Sequence, residues 1–313
     1  LCLISGGGSA LLTCPAEGIS LDDMRAVTGL LLGCGANINE MNAVRKHLDL
    51  VKGGGLARWA APARTAALIL SDVIGDPLDV IASGPCVPDS SSFASAWSIL
   101  ERYNLIDRLP EAVRARLQSG LRGQVAETPK PGDPLFERVQ NEVIASNYQA
   151  AQAALEQARR DGWQTLLLTT YLQGEARQAG RMLAAVARQA AGSAEPLGRP
   201  ACLVLGGETT VTLRGDGLGG RNQELALGAV AEMDGLADAF LVALATDGGD
   251  GPTDAAGAVV TGETLVRARA AGLDPADFLA RNDAYHFFQP LADLLLPGPT
   301  QTNVNDLAFL FLA

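Results

Sequence analysis

Short apolar segments alternate along this chain with stretches of helical periodicity, and glycine-rich junctions separate them. Strands that alternate with helices in this way are typical of α/β proteins with mostly parallel sheets. The predicted strands cover residues 1–4, 66–71, 142–145, 164–169, 201–205, 209–214, 239–245 and 307–312. The predicted helices cover residues 21–33, 43–51, 93–103, 148–160, 176–190, 222–233 and 263–271.

Chain length and one irregular stretch together indicate two domains. A chain of 313 residues has the length of about two domains. Residues 118–137 are rich in glycine, proline and charge and lack periodicity, so we expect a boundary near residue 130 and domains at 1–130 and 131–313. A strand, helix and strand at 141–170 are expected to open the second domain. Because residue 1 is not Met and the first residues already have the pattern of a buried strand, the first sheet is expected to be incomplete at its amino end.

Charge and cysteine usage exclude several classes of function. The 35 acidic residues outnumber the 24 Lys and Arg, and the net charge of −11 repels nucleic acid and anionic membranes. The five cysteines are widely separated and form no CxxC pair, so neither a disulfide framework nor a zinc site is indicated. The chain shows no signal peptide and no apolar run of membrane-spanning length. We expect a cytoplasmic protein that can bind an anion only where its few cations gather.

Two segments of the first half are candidates for such an anion site. The loop SGGGS at residues 5–9 follows a strand, and the N–H groups of a glycine loop can turn toward an anion. The alternative is a tight turn into a helix. If the segment around Arg45 is helical, Arg45 and Lys52 lie on one flank, whereas Lys46 falls on the opposite side and is expected to be exposed. No Walker A motif occurs in the chain, and the SGGGS loop lacks the GxGxxG spacing of a dinucleotide site.

A third candidate segment follows the apolar run at 66–70. Ligands of open α/β sheets collect beyond the carboxyl ends of the strands, which favours Asp72 as a functional carboxylate. Asp76 suits turn capping better. With His47 and His286 as the two histidines of the chain, a Ser/His relay or a His-based metal site has little material, and we expect His47 to pack rather than to catalyse.

The second half carries three further candidate segments. VLGGETTVTLRGDGLGGRNQE at 204–224 places Arg221 at a helix start after a glycine-rich loop, and a helix amino terminus with an Arg is a strong anion clamp. ATDGGDGPTDAAG at 245–257 presents three aspartates without EF-hand spacing, so magnesium shared with phosphates is favoured, although a polar turn explains at least one aspartate. TNVNDL at 302–307 offers amides that could hold a hydroxyl or a carboxylate.

Several segments, taken in order, resemble the signatures of the bacterial glycerate kinase family, which carries a MOFRL domain at its carboxyl end. The segments are SGGGSALL, NAVRKHLDLVKGG, LILSDVIGD, IASGP, GGETTVT, GLGGRNQELAL, ATDGGDGPTDAAG and TNVNDL. The resemblance implies a Rossmann-like first domain, a second α/β domain with a mixed sheet and a MOFRL region at about 200–313, and an active site in the interdomain cleft. It also implies ATP- and Mg²⁺-dependent phosphorylation of D-glycerate to 2-phosphoglycerate, and a segment upstream of SGGGS.

This resemblance and the residue patterns together give a set of candidate roles. The residues assigned to catalysis are Arg221, Asp72 and Arg45. The residues assigned to substrate or phosphate are Ser5, Gly6, Gly7, Gly8, Ser9, Lys52, Gly206, Gly207, Glu208, Asn222, Asn303, Asn305 and Asp306. The residues assigned to Mg²⁺ are Asp247 and Asp250. The cations would neutralise phosphates or the glycerate carboxylate, while Asp72 would accept the proton of the acceptor hydroxyl or bind metal.

Two other functions stay open at this stage, as does a homodimer. Some relatives of the family carry a hydroxypyruvate reductase label, which would require NAD(P)H. The loop after the first predicted strand, SGGGS, lacks the GxGxxG spacing of a nicotinamide site, which counts against this function. A non-catalytic protein that binds small anions would keep the cations but would need no metal carboxylates.

Overall fold

A computed structural model describes all 313 residues as two compact units, Leu1–Ile144 and Ala145–Ala313. The strands are β1 Cys2–Ile4, β2 Thr65–Leu70, β3 Val139–Ala145, β4 Gln164–Leu172, β5 Ala201–Gly207, β6 Ala239–Ala245, β7 Gly257–Thr261, β8 Leu294–Leu295 and β9 Asp306–Leu312. The helices are α1 Gly8–Leu11, α2 Leu21–Gly33, α3 Ile38–Leu48, α4 Gly55–Ala60, α5 Phe93–Arg102, α6 Glu111–Leu121, α7 Asn147–Arg160, α8 Ala176–Ser193, α9 Arg221–Met233, α10 Thr264–Ala270, α11 Pro275–Ala280 and α12 Ala284–Phe288.

The first unit combines a small sheet with a cluster of packed helices. Its sheet has the order β1-β2-β3, and β1 runs parallel to β2. Helix α3 starts earlier than the predicted residue 43, because Asn37 and Glu40 form a capping box that satisfies the first N–H groups of the helix. The apolar side of α3, with Val44 and Leu48, packs in one cluster with α2, α5 and α6.

The second unit is built on a mixed six-stranded sheet with the order β4-β5-β9-β6-β7-β8. Only β4 and β5 are parallel neighbours; β9 lies antiparallel to both β5 and β6. Helices α8 and α9 contribute to the main core on one face of the sheet, while α7 packs against the other face. The predicted α/β architecture with a mixed second sheet is confirmed.

Several predicted boundaries differ from the structure. The units divide after Ile144, later than residue 130, because β3 joins the first sheet although it was expected to open the second domain. The predicted strand at 209–214 is wrong: apart from one bridge at Thr210, this stretch finds no partner strand, and Leu213 is exposed. Strands β7 and β8 and helix α6 were not expected.

No helix of the chain is both long enough and apolar enough to cross a membrane.

Helices α8 and α9 cross at two glycines that allow their backbones to touch. A Cβ atom on Gly180 would lie 1.9 Å from the carbonyl oxygen of Leu225, and one on Gly228 would lie 2.4 Å from that of Arg177. Both distances are shorter than any normal contact. The two helices can therefore approach this closely only because Gly180 and Gly228 have no side chain.

Replacement of Gly180 by Ala should destabilise the second unit by about 1–3 kcal/mol, because the new methyl group forces the helices apart. Gly192→Ala is the matched control on the same helix, since its Cβ would meet nothing within 4 Å. That control should be neutral or should raise stability by about 0.5–1 kcal/mol through helix propensity. Urea unfolding measures both free energies, and equal effects of the two variants would contradict the close contact.

Candidate functional site

The glycine loop of the first unit lies against Asp72. Because β1 and β2 are parallel neighbours, the residues that follow them emerge at the same edge of the sheet. A Cβ atom on Gly6 would lie 2.5 Å from Oδ2 of Asp72, so the carboxylate sits directly on the loop backbone. Burial raises the pKa of Asp72 above its usual value. The structure thus brings together two segments that the sequence separates by more than sixty residues.

The loop is at the same time a tight turn into the short helix α1. Gly7 adopts a left-handed conformation with φ of 78° at the amino end of that helix. Ser9 Oγ lies 3.0 Å from Ser83 Oγ, which donates a hydrogen bond of 2.9 Å to Oδ1 of Asn42. The alternative interpretation of SGGGS as a turn therefore describes its backbone, while Ser5 and Gly7 stay exposed.

Arg45 and Lys52 both contact the glycine loop, although α3 ends at Leu48 and Lys52 lies in the turn after it, not on one helix flank with Arg45 as predicted. Lys52 Nζ donates to the carbonyl oxygens of Ser9, at 2.9 Å, and Leu12, at 2.7 Å. Arg45 also donates to the Ser9 carbonyl, and its Nε is buried without a partner. Lys52 is 1% exposed, and this burial lowers its pKa to about 8. The two cations place positive charge under the loop rather than beside it.

The prediction that Lys46 is exposed is wrong. Lys46 is buried and its Nζ lies 3.3 Å from Oδ1 of Asp89, which is also buried. Helix α3 is covered on this side too, and the ion pair with Asp89 offsets the cost of burying the charge of Lys46. His47 packs as predicted: its ring lies edge-on to Phe93, with Nε2 3.0 Å from Oε2 of Glu127.

In the second unit, Arg221 holds two carboxylates at the carboxyl edge of β5 and β6. Its guanidinium makes a two-pronged contact with Asp306, with Nε 2.5 Å from Oδ2 and Nη2 3.1 Å from Oδ1. Its third nitrogen lies 3.0 Å from Oε1 of Glu208. Burial lowers the pKa of Arg221, but these carboxylates outweigh it and the net shift is upward. The predicted anion clamp is thus engaged by two acidic side chains.

Asp306 reaches this position through strand pairing. It is the first residue of β9 and pairs with Gly207 on one side and Ala245 on the other. Burial raises the pKa of its carboxyl group, and Arg221 opposes that shift. The segments GGET, GGRNQE, ATDGGDG and TNVND therefore meet at one edge of the sheet.

The two candidate metal ligands have different surroundings. Asp250 is buried and caps α9: its carboxylate accepts the backbone N–H groups of Asn222 at 3.1 Å and Gln223 at 2.8 Å. Burial raises its pKa to about 6. Asp247 is exposed and accepts the N–H group of Gly249 at 3.1 Å. The chain has no group of three or more His, Cys, Asp or Glu side chains arranged around a metal position.

The segment TNVND, which leads into β9, places the amide side chains of Asn303 and Asn305 at the same edge of the sheet. Asn303 accepts the N–H group of Asn305, whose backbone is left-handed with φ of 65° and whose Nδ2 is buried without a partner. Asn147 was missed by the sequence analysis. Its Nδ2 donates to the carbonyl oxygens of Val304 and Asp306, and its Oδ1 occupies the space that a side chain on Gly206 would need. Its position at the amino end of α7, directly after the cap Ser146, was the available signal.

Comparison with known proteins adds the family. A profile for a domain of unknown function, DUF4147, matches residues 1–118, and the MOFRL family profile matches residues 201–306. Glycerate 2-kinase of Pyrococcus horikoshii is 46% identical over 97% of this chain and 68% of its own length. The chain belongs to the glycerate kinase family. D-glycerate 2-kinase of Thermotoga maritima is 45% identical over 98% of this chain and 70% of its own length.

Structures and names in the glycerate kinase family give two further findings. The crystal structure of glycerate kinase from Thermotoga maritima matches 99% of this chain and 72% of that chain with a TM-score of 0.92 at 43% identity. A protein of Agrobacterium vitis with the provisional name hydroxypyruvate reductase is 45% identical over 97% of this chain and 68% of its own length. The resemblance that the motifs indicated is confirmed.

The pKa of Asp250 makes stability depend on pH. Between the ordinary value of 3.8 and about 6, the native state keeps a proton that the unfolded chain has lost, so stability falls as pH rises. The slope approaches about 1.4 kcal/mol per pH unit at most. Asp250→Asn cannot titrate and lacks this contribution. The free energy of unfolding of the wild type, minus that of the variant, should therefore decrease across this interval in urea titrations; a constant difference would contradict the shift.

Proposed function

We propose that this chain transfers the γ-phosphate of ATP to a hydroxyl group of D-glycerate and that the product is 2-phosphoglycerate. The observation that carries the proposal is the identity of 45–46%, over nearly the whole chain, with two proteins named as glycerate 2-kinases. The geometry of each unit agrees with this chemistry. Phosphoryl transfer depends mainly on positioning and on neutralisation of charge, and both units present such groups at a strand edge.

In the first unit, the glycine loop offers backbone that an anion can approach. Its residues lack bulky side chains, and Arg45 and Lys52 lie behind it as fixed positive charge. Because both cations bind carbonyl oxygens of the loop and of its helix, they hold its shape and add to the local potential without moving. We assign the loop 5–9 to an anionic group of the substrates.

Asp72 is the carboxylate best placed to act on the acceptor hydroxyl. It lies on the loop backbone at Gly6, and its raised pKa brings it closer to the range of a proton acceptor. A carboxylate at this position can take the proton of the hydroxyl or bind a metal ion, and we propose it for one of these two roles.

In the second unit, acidic groups outnumber the cations at the site. Glu208, Asp250 and Asp306 lie around Arg221, and Asp247 lies close enough to Asp306 to contribute to its raised pKa. An ATP phosphate tail at this edge would need additional positive charge. Mg²⁺ commonly binds one or two carboxylates and completes its shell with phosphate oxygens and water, so the absence of a three-ligand site does not oppose it.

We assign Asp247 as the carboxylate most available to Mg²⁺ and Asp250 as its support, because Asp250 already caps α9. Bound there, Mg²⁺ would neutralise the phosphate oxygens of the nucleotide. Asn303 and Asn305 are assigned to polar groups of the substrate, since Nδ2 of Asn305 has no protein partner. Arg221 is assigned to a phosphate or to the glycerate carboxylate, in exchange for one of its present carboxylate contacts.

A coupled assay tests the proposal. ADP should form only when glycerate is present, with phosphorus NMR identifying 2-phosphoglycerate; NAD(P)H oxidation with hydroxypyruvate would instead support the reductase named for the Agrobacterium vitis relative.

Arg221→Ala should lower kcat by about 10²–10³-fold, because a positioned charge is lost. Arg160→Ala, an exposed arginine of α7, should leave kcat unchanged. Circular dichroism must show both variants folded, and near-normal turnover of Arg221→Ala would remove Arg221 from the reaction.

The Mg²⁺ assignment predicts a specific change in metal dependence. Asp247→Asn should raise the Mg²⁺ concentration needed for half-maximal activity by about tenfold or more, because one anionic ligand becomes a weaker neutral one. Asp254→Asn is the matched control in the same loop; Asp254 is exposed and accepts a hydrogen bond from Tyr285. Titration of Mg²⁺ at saturating ATP measures both, and an equal response of the two variants would exclude Asp247 as a ligand.

A further inference from the structure

A large cavity lies in the second unit, on the helical face of the sheet. It has a volume of about 550 Å³, in the range of small-molecule sites, and helices α8, α9, α10 and α11 surround it. None of the residues assigned to the phosphoryl transfer lines it. Helix α9 contributes to both the candidate site and this cavity. It begins at Arg221, whereas Leu227 and Glu232 in its later turns line the cavity.

The charges around this cavity are unusual for so acidic a protein. Four arginines line it, namely Arg177, Arg181, Arg214 and Arg269. Arg177 is neutralised by the buried Glu224, and Arg269 lies 4.0 Å from Asp234. Arg181 and Arg214 make no hydrogen bond or ion pair through their side chains, and both are exposed. Arg181 and Arg214 are therefore free to bind a ligand in this cavity.

The two acidic residues of the lining already have partners. Asp274 accepts the backbone N–H group of Ala276 at 2.9 Å, and Glu232 lies 3.5 Å from Arg188. Neither is therefore placed to neutralise Arg181 or Arg214. The lining residues comprise four arginines and two carboxylates, and the two arginines without an ion pair can bind an anion.

The rest of the lining is apolar. Leu227 and Leu265 are almost fully buried, and Leu273 and Leu279 pack on the main core while part of each stays accessible. Such a surface stabilises a ligand through its hydrocarbon part at about 25 cal/mol for each Å² removed from water. A fully hydrated ion such as inorganic phosphate would leave this surface unused.

We propose that this cavity, which we call the arginine cavity, binds a small amphipathic anion: a phosphate or carboxylate head at Arg181 and Arg214, and an apolar body against Leu227, Leu265, Leu273 and Leu279. The proposal does not depend on the reaction assigned to the other site. Unlike a binding site for glycerate, which is small and polar, the arginine cavity selects for hydrocarbon next to the charge.

Calorimetric titration of the whole chain with three probes tests this. Hexyl phosphate should bind saturably and at least tenfold more tightly than inorganic phosphate, because it alone uses both the arginines and the leucines. Hexyltrimethylammonium should not bind, since its charge has the wrong sign. Equal affinity for hexyl phosphate and inorganic phosphate would overturn the proposal, and so would saturable binding of the ammonium probe.

Variants locate the binding. The double variant Arg181→Ala/Arg214→Ala should weaken hexyl phosphate binding at least tenfold with unchanged Tm, since neither side chain supports the fold through a polar contact. Arg160→Ala and Arg221→Ala should retain it. Loss of binding in Arg221→Ala together with full binding in the double variant would show that the probe occupies the phosphoryl-transfer site, which would overturn the proposal.

Discussion

The insertion of β9 between β5 and β6 is the constraint on which the second unit depends. Its first residue, Asp306, faces Gly207 and Ala245 in the ladder and holds Arg221 with both carboxylate oxygens. Arg221 begins α9, and the next two residues of that helix are capped by Asp250. Strand register, helix capping and ion pairing thus fix one another. The side chains assigned to phosphate chemistry are held by the same contacts that hold the core.

The first unit reaches a similar result with different means. Here two parallel strands end at one edge, and the glycine loop after β1 meets Asp72 after β2. The loop itself is stabilised by cations that bind its carbonyl oxygens, so Lys52 is buried at 1% exposure with a pKa of about 8. A buried lysine is costly to desolvate, and its two carbonyl partners and the nearby Asp49 offset that cost. The positive charge of Lys52 beneath the loop is therefore fixed in place by the contacts that stabilise the loop.

The sequence was sufficient for the fold class and for most long elements, because periodicity and glycine punctuation are local signals. The family followed from the order of its motifs. The sequence also placed Arg45 and Lys52 together, but the helical argument was wrong for Lys52, because α3 ends at Leu48 and Lys52 reaches the loop from the turn that follows. The prediction that Lys46 is exposed was wrong, because its partner Asp89 is distant in sequence and the burial of a charge depends on such a partner. The prediction of a strand at 209–214 was wrong, because a segment with apolar and β-branched residues becomes a strand only where a neighbouring strand is free to pair with it.

The shared role of Asp306 has a consequence for how this architecture can diversify. A slip of β9 by one residue would turn Asp306 to the opposite face of the sheet, so the strand register and the proposed anion site at Arg221 must be inherited together. By contrast, Asp247 is exposed on a loop beyond β6, and Glu208 lies just past the end of β5. New ligand preferences can therefore arise at these flanking positions while the central strand stays invariant.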